Sequence, residues 1–307
     1  MKPQQLILII LLFAASAASA QKPDSALAMV HYKYTWLRDT NNRDKPYTEN
    51  MALYVGRSAS VYKSYDRKMQ LADMKKQLMA QVSNNVGGNI KIQSKGTSSA
   101  IEYYLFPNEN KLVRKENIYT NYLIDEPFPV IKWKISSDTM TIRNLACQKA
   151  TAHFKGRDYT AWFCPDLPYR AGPWKLSGLP GLIVEAHDTK NEVIFKFDGI
   201  DPITKADKAV KDDEPQIAGI KMITVNGGND VDDPSVIALP DNGVKTTEKE
   251  LANLKEARRK DPTAFMQAQM AGSGMPVMRG APIRSDSFKV QLAPPPVINN
   301  PVELSDK

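Results

Sequence analysis

Histidine and cysteine are scarce in this chain, and their scarcity limits the chemistry that its side chains can perform. Three histidines and two cysteines occur among the 307 residues. His31, His153 and His187 lack the short spacing of a helical metal site, and no Cys-x₂-Cys pair is present. The Gly-x-Ser-x-Gly sequence of an exposed nucleophilic serine is also missing. The sequence therefore predicts no catalytic residues, no metal centre built on these ligands and no cofactor.

Long apolar runs are also scarce, and the clearest one lies at the N-terminus. Lys2 precedes the apolar run from Leu6 to Ala15, and Ala18–Ala20 has the small-x-small pattern that signal peptidase cleaves. The run is shorter than the roughly 20 residues that a bilayer-spanning helix needs. We therefore predict a signal peptide over residues 1–20 and a mature, periplasmic or secreted chain that begins at Gln21 and has no transmembrane segment. A retained membrane anchor is the alternative.

Neither sign of charge dominates any stretch of the chain. Lysine and arginine total 41 against 34 acidic residues, for a net charge of +7, and no run of five like charges occurs. Proteins that bind nucleic acid concentrate basic residues on one surface, where they neutralise backbone phosphates. An exported chain without such a stripe is therefore not expected to bind nucleic acid.

The two cysteines, Cys147 and Cys164, fall in segments that alternate like the two strands of a hairpin. If Phe154 pairs with Tyr159 across the turn, the cysteines lie diagonally on one face of the hairpin, about 7–8 Å apart. An even cysteine count in an exported chain favours a bond between them. We therefore predict a strained or register-shifted disulfide, with two free, half-buried thiols as the alternative.

Short segments with alternating apolar residues dominate the mature chain. The first spans residues 27–37 and places Tyr32, Tyr34 and Trp36 on one face, as in a half-buried strand. Turn residues separate the later segments at short intervals, which is typical of antiparallel sheets. Further strands are predicted at residues 50–57, 60–62, 89–93, 100–106, 111–114, 117–124, 130–135, 143–154, 159–165, 182–187 and 192–198.

Predicted helices are fewer than predicted strands. Ser64 caps one helical pattern, a Thr-x-x-Glu box at Thr247 opens a second, and Asp261 caps a third. We therefore predict a mainly β fold with minor α+β character, an antiparallel curved sheet or open half-barrel with two or three helices. Residues 21–307 are expected to form a single domain, in which residues 272–307 are an extended tail.

The most distinctive stretch runs from Gly172 to Asp188. Pro180 restricts its own φ, and Gly181 is expected at positive φ as the third residue of a type II turn. The apolar residues 182–184 then enter a strand with no polar face, which is expected at the centre of a sheet. Trp174 is expected to act as an aromatic plug near the bend. We interpret this stretch as a rigid corner that packs against the sheet.

Several segments in and near this stretch resemble one known family in their order and spacing. They are CQKAT at 147–151, FKGR at 154–157, YTAW at 159–162, GPWK at 172–175 and GLPGLI at 178–183. The chain is similar to the GLPGLI family of exported proteins, largely from Bacteroidota, and its Asn300–Leu304 end is similar to the end of that family. The resemblance implies export and a single domain. It implies no established activity, cofactor or catalytic residue.

Aromatic side chains are the main positive indication of function. They fall mostly in the predicted strands, where the concave face of a curved sheet would form an apolar cleft. Glu185 lies between apolar neighbours and is a candidate acid in such a cleft. We therefore predict a non-enzymatic envelope protein that binds a lipid or other apolar ligand, or an envelope protein partner. The candidate ligand-binding residues are Tyr34, Trp36, Trp162, Trp174 and Glu185.

Two other functions stay open as alternatives. An exported, peptidase-like hydrolase would need an activated nucleophile, but Ser177 has only Lys175 nearby in sequence and no evident activating base. A periplasmic copper-binding accessory protein would use thioether ligands, and Met266 and Met270 lie one helical turn apart. Methionine also fills irregular gaps in apolar packing, so these two residues are weak metal candidates.

Overall fold

The computed structural model describes residues 23–84, 98–204, 235–272 and 296–305. The predicted signal peptide, its cleavage before Gln21 and the predicted strand at 89–93 lie outside these ranges, as does most of the predicted tail. None of the helices in the described ranges is long and apolar enough to cross a membrane.

The described residues contain fourteen strands and three helices. The strands are β1 (Asp24–Ser25), β2 (Ala28–Trp36), β3 (Tyr47–Val55), β4 (Ser60–Ser64), β5 (Ile101–Phe106), β6 (Lys111–Ile118), β7 (Thr120–Pro127), β8 (Lys134–Ile142), β9 (Leu145–Phe154), β10 (Arg157–Cys164), β11 (Leu182–Asp188), β12 (Val193–Pro202), β13 (Val236–Ile237) and β14 (Val244–Lys245). The helices are α1 (Tyr65–Asn84), α2 (Glu248–Lys260) and α3 (Pro262–Gly272).

Twelve of these strands form one open sheet, in the order β14-β7-β6-β5-β4-β3-β2-β12-β11-β10-β9-β8. Neighbouring strands are antiparallel except for β14, which pairs with β7 in parallel. The edge strands β8 and β14 do not pair with each other, so the sheet is not closed into a barrel. The prediction of a mainly β fold with an antiparallel sheet that is not closed into a barrel is therefore confirmed.

Alternation of apolar and polar residues explains the strands that the sequence predicted well. In β2, Val30 and Tyr32 are buried while Lys33 is exposed. In β11, residues 182–184 are fully buried, because β10 and β12 flank the strand and both of its faces are covered. A strand of this kind has no polar face, as its sequence indicated.

The helix starts follow local capping chemistry. The Ser64 hydroxyl accepts from the Arg67 amide at 2.9 Å at the start of α1. Thr247 and Glu250 form a complete capping box at the start of α2, and Asp261 accepts from the Ala264 amide at the start of α3. Each cap satisfies amides that the first helical turn leaves unpaired. The predicted helix starts are confirmed.

The hairpin of β9 and β10 has a different register from the predicted one, and it contains no disulfide. Phe154 pairs with Arg157 rather than with Tyr159, because Lys155 and Gly156 make a two-residue turn with positive φ at both positions. Cys147 and Cys164 are both buried and free. The Cys147 thiol donates to the Leu145 carbonyl at 3.4 Å instead of bonding to the second sulfur. The predicted disulfide is therefore corrected to two free thiols.

Burial also makes the first of these thiols unreactive. Burial raises the pKa of Cys147 to about 11. Because the thiolate is the nucleophile and the metal ligand, a thiol protonated at neutral pH is a poor candidate for either role.

The segment before this hairpin was predicted less well. A strand was predicted at residues 130–135, and the sequence Ser136-Ser137-Asp138 that follows is typical of a turn. In the structure β8 begins at Lys134 and continues to Ile142, and its register shifts between Ile135 and Thr139. The serine-rich turn signal therefore marks a bulge within an edge strand rather than the end of a strand.

Candidate functional site

Three of the five predicted ligand-binding residues are packed together on one face of the sheet, called here the inner face. Trp174 stacks on Phe195 with ring centroids 6.4 Å apart, and Tyr34 stacks on the same ring at 5.1 Å. Trp36 donates its indole N–H to the Asn300 carbonyl at 2.8 Å. Trp174 belongs to the main apolar core, and the half-buried Tyr34 and Trp36 pack against that core.

The other two predicted residues are neighbours on the opposite face. Trp162 of β10 pairs in register with Glu185 of β11, and both are half-buried. Tyr159 and Phe163 alternate with Trp162 and are fully buried on the inner face. Burial raises the pKa of Glu185, although nearby basic groups oppose the shift. The five residues therefore belong to two faces and do not form one site.

The weak copper candidates lie where the helical pattern placed them. Met266 and Met270 are one turn apart on α3, but their side chains lie outside the described residues. Within the ranges that the structure describes, no group of three or more His, Cys, Asp or Glu side chains could hold a metal ion.

Residues 172–181, called here the Gly-Pro segment, cover part of the inner face. Trp174, Leu176 and Leu179 are buried in the main apolar core. A Cβ on Gly181 would lie 2.2 Å from the Cys164 carbonyl oxygen, so only glycine allows the segment to approach β10 so closely. Ser177 is buried, and its carbonyl accepts from the Trp133 indole at 2.8 Å. The interpretation of this stretch as a packing corner is confirmed. The predicted type II turn is wrong: Gly181 has a φ of 156° rather than about 80°, and its amide donates to the Leu179 carbonyl across Pro180 at 2.9 Å.

Lys175 is the exception in the Gly-Pro segment, because it reaches a charged cleft of about 790 Å³. One row of side chains across three strands forms the floor: Tyr103 on β5 pairs with Arg114 on β6, which pairs with Ile124 on β7. The walls come from the Gly-Pro segment, from Glu303 near the C-terminus and from the start of α2. The lining residues are Tyr103, Arg114, Leu123, Ile124, Asp125, Glu126, Pro127, Lys175, Lys245, Thr246, Thr247, Glu248 and Glu303.

Two buried cations share one carboxylate in this cleft. Arg114 Nε donates to Glu126 Oε1 at 2.6 Å, and Lys175 Nζ donates to the other oxygen of Glu126. Only 10% of the Arg114 side chain and 4% of the Lys175 side chain are exposed. Burial alone would lower the pKa of Arg114, but hydrogen bonding to Glu126 raises it. Each of these buried cations therefore depends on an anionic partner.

Arg114 Nη1 also donates to the buried carboxylate of Glu116 at 3.0 Å, and each cation has a further carboxylate on its solvent side. Glu248, at the first position of α2, contacts Arg114, and Glu303 contacts Lys175. These side chains are 69% and 36% exposed, against 16% for Glu126. Burial alone would raise the pKa of Glu303, but its ion pairs with lysines keep it below the usual value. The outer carboxylates are therefore the more replaceable partners.

A buried arginine fixes the C-terminal segment that carries Glu303. Arg157 Nη2 donates to the Asn300 side chain and to the Pro301 carbonyl, both at 2.7 Å, and Arg157 Nε donates to the Val302 carbonyl at 2.9 Å. A buried ion pair with Asp188 holds the guanidinium from the other side, at 2.7 Å. The end of the chain is therefore part of the wall of the cleft.

None of the five predicted ligand-binding residues lines this cleft. The sequence contained two partial signals for it. Arg114 and Glu116 are two residues apart in β6, which places both on one face, and Lys175 is the one charged residue in the Gly-Pro segment. Their partners, Glu126 and Glu303, are distant in sequence, so their pairing required the register of the sheet and the path of the C-terminus.

Comparisons with known proteins assign no activity to this cleft. Residues 154–185 match the model of a family described as a protein of unknown function (Porph_ging). No curated protein matches the chain.

Two solved structures of PNGF-II, in space groups P21 and C2, resemble the chain at 9% and 11% sequence identity, with TM-scores of 0.44 and 0.42. The resemblance covers 75% and 74% of this chain but 33% and 32% of those chains, so this chain spans about a third of their length. At this level of similarity, the resemblance carries no argument about function.

Proposed function

We propose that this chain is an exported, non-enzymatic envelope protein that binds a protein partner, and that the charged cleft receives an acidic segment of that partner. The observation that carries the proposal is the pair of buried cations at the base of the cleft. Arg114 and Lys175 share the inner carboxylate of Glu126, and each contacts another carboxylate on the solvent side, the exposed Glu248 and the half-buried Glu303. The export of the protein rests on the N-terminal sequence.

The chemistry of the cleft favours an anionic group. A buried cation that loses its partner is costly, so Arg114 and Lys175 require a carboxylate or an equivalent anion at all times. A carboxylate from a ligand can replace Glu248 or Glu303 without changing the number of charges near these cations. Arginine is also well suited to this exchange, because its guanidinium binds carboxylates in a planar, bidentate geometry.

The C-terminus shows why a protein segment suits the cleft. Glu303 reaches Lys175 from residues 300–304, an irregular segment with bends, so a glutamate on a segment without helix or strand has the length to make this contact. The volume of about 790 Å³ lies within the range of about 300–1,000 Å³ that small-ligand sites occupy, and it is large enough for a few residues. Three basic and four acidic residues line the cleft, which favours a charged segment over a lipid or another apolar ligand, and the two buried cations are the groups that an acidic side chain would contact.

We also propose that the chain is a protein of the GLPGLI type. The hexapeptide at 178–183 lies inside the matched residues 154–185. In this fold the hexapeptide supports the wall from which Lys175 reaches the cleft, so its role in the proposed function is structural.

Titration calorimetry with a blocked hexaglutamate peptide tests the proposed function. We expect the full mature protein to bind hexaglutamate, more weakly at high salt, and to bind hexalysine much less. Lys175→Met should weaken the binding of hexaglutamate at least about tenfold, because it removes a buried charge from the site. Lys175→Arg, which keeps the charge, should retain most of the affinity.

The exposed rim residue Lys245 provides the matched control. Lys245→Met removes the same charge from the edge of the cleft and should change the affinity less than about twofold. Circular dichroism should first show that each variant is folded. Equal binding of the two peptides, or an equal effect of the two Lys→Met variants, would contradict the proposal.

A further inference from the structure

The side chain of Glu303 is held by two lysines on different sides. Its Oε1 atom contacts Lys175 inside the cleft, and its Oε2 atom lies 3.1 Å from Lys155 Nζ. Lys155 belongs to the turn between β9 and β10 and does not line the cleft. Glu303 therefore has a second cation available if its contact with Lys175 is lost.

The backbone around Glu303 is held on both sides of the residue. Before it, Arg157 binds the carbonyls of Pro301 and Val302. After it, the Leu304 amide donates to the Lys155 carbonyl at 3.0 Å, and Leu304 packs so closely on Gly156 that a Cβ there would lie 2.7 Å away. An exchange at Lys175 therefore involves rotation of the Glu303 side chain and not release of the C-terminal segment.

The other outer carboxylate is arranged differently. Glu248 contacts Arg114 from the start of α2 and is more exposed than Glu303. Among the described residues, no second cation pairs with Glu248 in the way that Lys155 pairs with Glu303. The arrangement at Glu303 is therefore the one that provides both a bound and a displaced position for the same carboxylate.

We infer that Glu303 is a built-in competitor for the cleft: it occupies Lys175 in the free protein, and Lys155 retains it when a carboxylate of the partner takes its place. This inference rests on the proposed function and adds the regulation of the same site. A competitor on the same chain raises the affinity that a ligand needs, because the ligand must displace a tethered carboxylate. It thereby favours segments with several acidic groups over single anions.

A double-mutant cycle on Glu303 and Lys155 tests this inference, with hexaglutamate as the probe in calorimetry. Glu303→Gln should tighten binding about fivefold, because a neutral side chain competes weakly for Lys175. Lys155→Met should weaken binding by about the same factor, because Glu303 is then held by Lys175 alone. In the Glu303→Gln background, Lys155→Met should have less than about a twofold effect, because the residue through which it acts is absent.

A variant outside the cleft serves as the control for the effect of charge alone. Asp198→Asn removes one negative charge from an exposed ion pair outside the cleft and should leave the affinity unchanged. The inference is wrong if Glu303→Gln does not tighten binding, or if Lys155→Met weakens it equally in both backgrounds, as a general charge effect would. If neither the wild type nor Glu303→Gln binds hexaglutamate, the proposed function itself fails.

Discussion

The inner face of the sheet is covered in two different ways. Over β2, β12, β11 and β10, the Gly-Pro segment places Trp174, Leu176 and Leu179 in an apolar core, which we call the packed part. Over β5, β6 and β7, the same face carries Arg114 and Glu126 in the cleft beside α2, which we call the charged part. Lys175 joins the two, because it leaves the packed part and ends in the charged part.

The two parts differ in whether their contacts can be exchanged: apolar packing stabilises the fold, whereas a buried cation can exchange one anionic partner for another. Apolar burial is non-directional, so the packed part is stabilised by area and close packing, with little dependence on pH. A buried charge needs a specific partner, but that partner can be replaced by another group of the same sign. The packed part therefore suits a permanent structural role, and the charged part suits binding.

The largest effect is expected from a substitution that disrupts the packed part. Trp174→Ala should lower the free energy of unfolding by about 4 kcal/mol, since it removes a fully packed aromatic side chain. Trp162→Ala, on the opposite and half-buried face, should cause a clearly smaller loss. Urea denaturation monitored by circular dichroism measures both variants. Equal losses would mean that the two faces are packed alike.

A second substitution removes the charged link between β10 and the C-terminus. Arg157→Met should lower the free energy of unfolding by about 3 kcal/mol, because it leaves the buried carboxylate of Asp188 unpaired. Arg143→Met, in an exposed pair with Asp198, should cost less than about 1 kcal/mol in the same urea experiment. A small effect at Arg157 would show that the C-terminal segment is held mainly by other contacts.

A third substitution tests the close approach of the Gly-Pro segment to β10. Gly181→Ala should cost about 2 kcal/mol or more, because the added Cβ would meet the Cys164 carbonyl and the backbone is at positive φ. Gly199→Ala, also at positive φ but with no atom within 4 Å of the added Cβ, isolates the cost of the backbone conformation. Thermal unfolding of the pair should give the lower Tm for Gly181→Ala, and equal Tm values would argue against the steric explanation.

The smallest expected effect lies in the charged part and depends on pH. The pKa of Glu303 is below its usual value of 4.5, so its ion pairs stabilise the fold above about pH 4.5 and lose this contribution as the pH falls through the lowered pKa. Because Glu303 is partly exposed, the contribution should be below about 1 kcal/mol. Unfolding of the wild type and Glu303→Gln at pH 7 and pH 3 should show the smaller pH dependence in the variant. An unchanged pH dependence would show that the ion pairs of Glu303 do not stabilise the fold.

Local patterns predicted much of the fold. Alternation predicted β2 and β11, and capping residues predicted the starts of all three described helices, because both signals depend only on near neighbours in sequence. The register of the β9–β10 hairpin was predicted wrongly, since a two-residue turn and a longer one are both compatible with Lys155–Asp158. That one error changed the predicted positions of Cys147 and Cys164 relative to each other.

The cleft was much less predictable than the fold. Lys175 was noticed as a neighbour of Ser177, yet its contacts are with Glu126 and Glu303, which lie 49 and 128 residues away in sequence. Charged residues in strands usually face solvent, so the spacing of Arg114 and Glu116 did not indicate that Arg114 is buried. The aromatic residues were expected to line a cleft, but the Gly-Pro segment packs against them.

The sequence by itself determined the mainly β class, the helix caps and the central, fully buried strand at 182–184, because these depend on the side-chain period and on local backbone chemistry. Tertiary structure alone decided that the Gly-Pro segment covers the aromatic face and that Lys175 meets Arg114 around one carboxylate. It also decided that the C-terminus delivers Glu303 to the same place. Ion pairs between distant segments depend on strand order, register and the path of the chain end, and a single sequence specifies none of these through its local pattern.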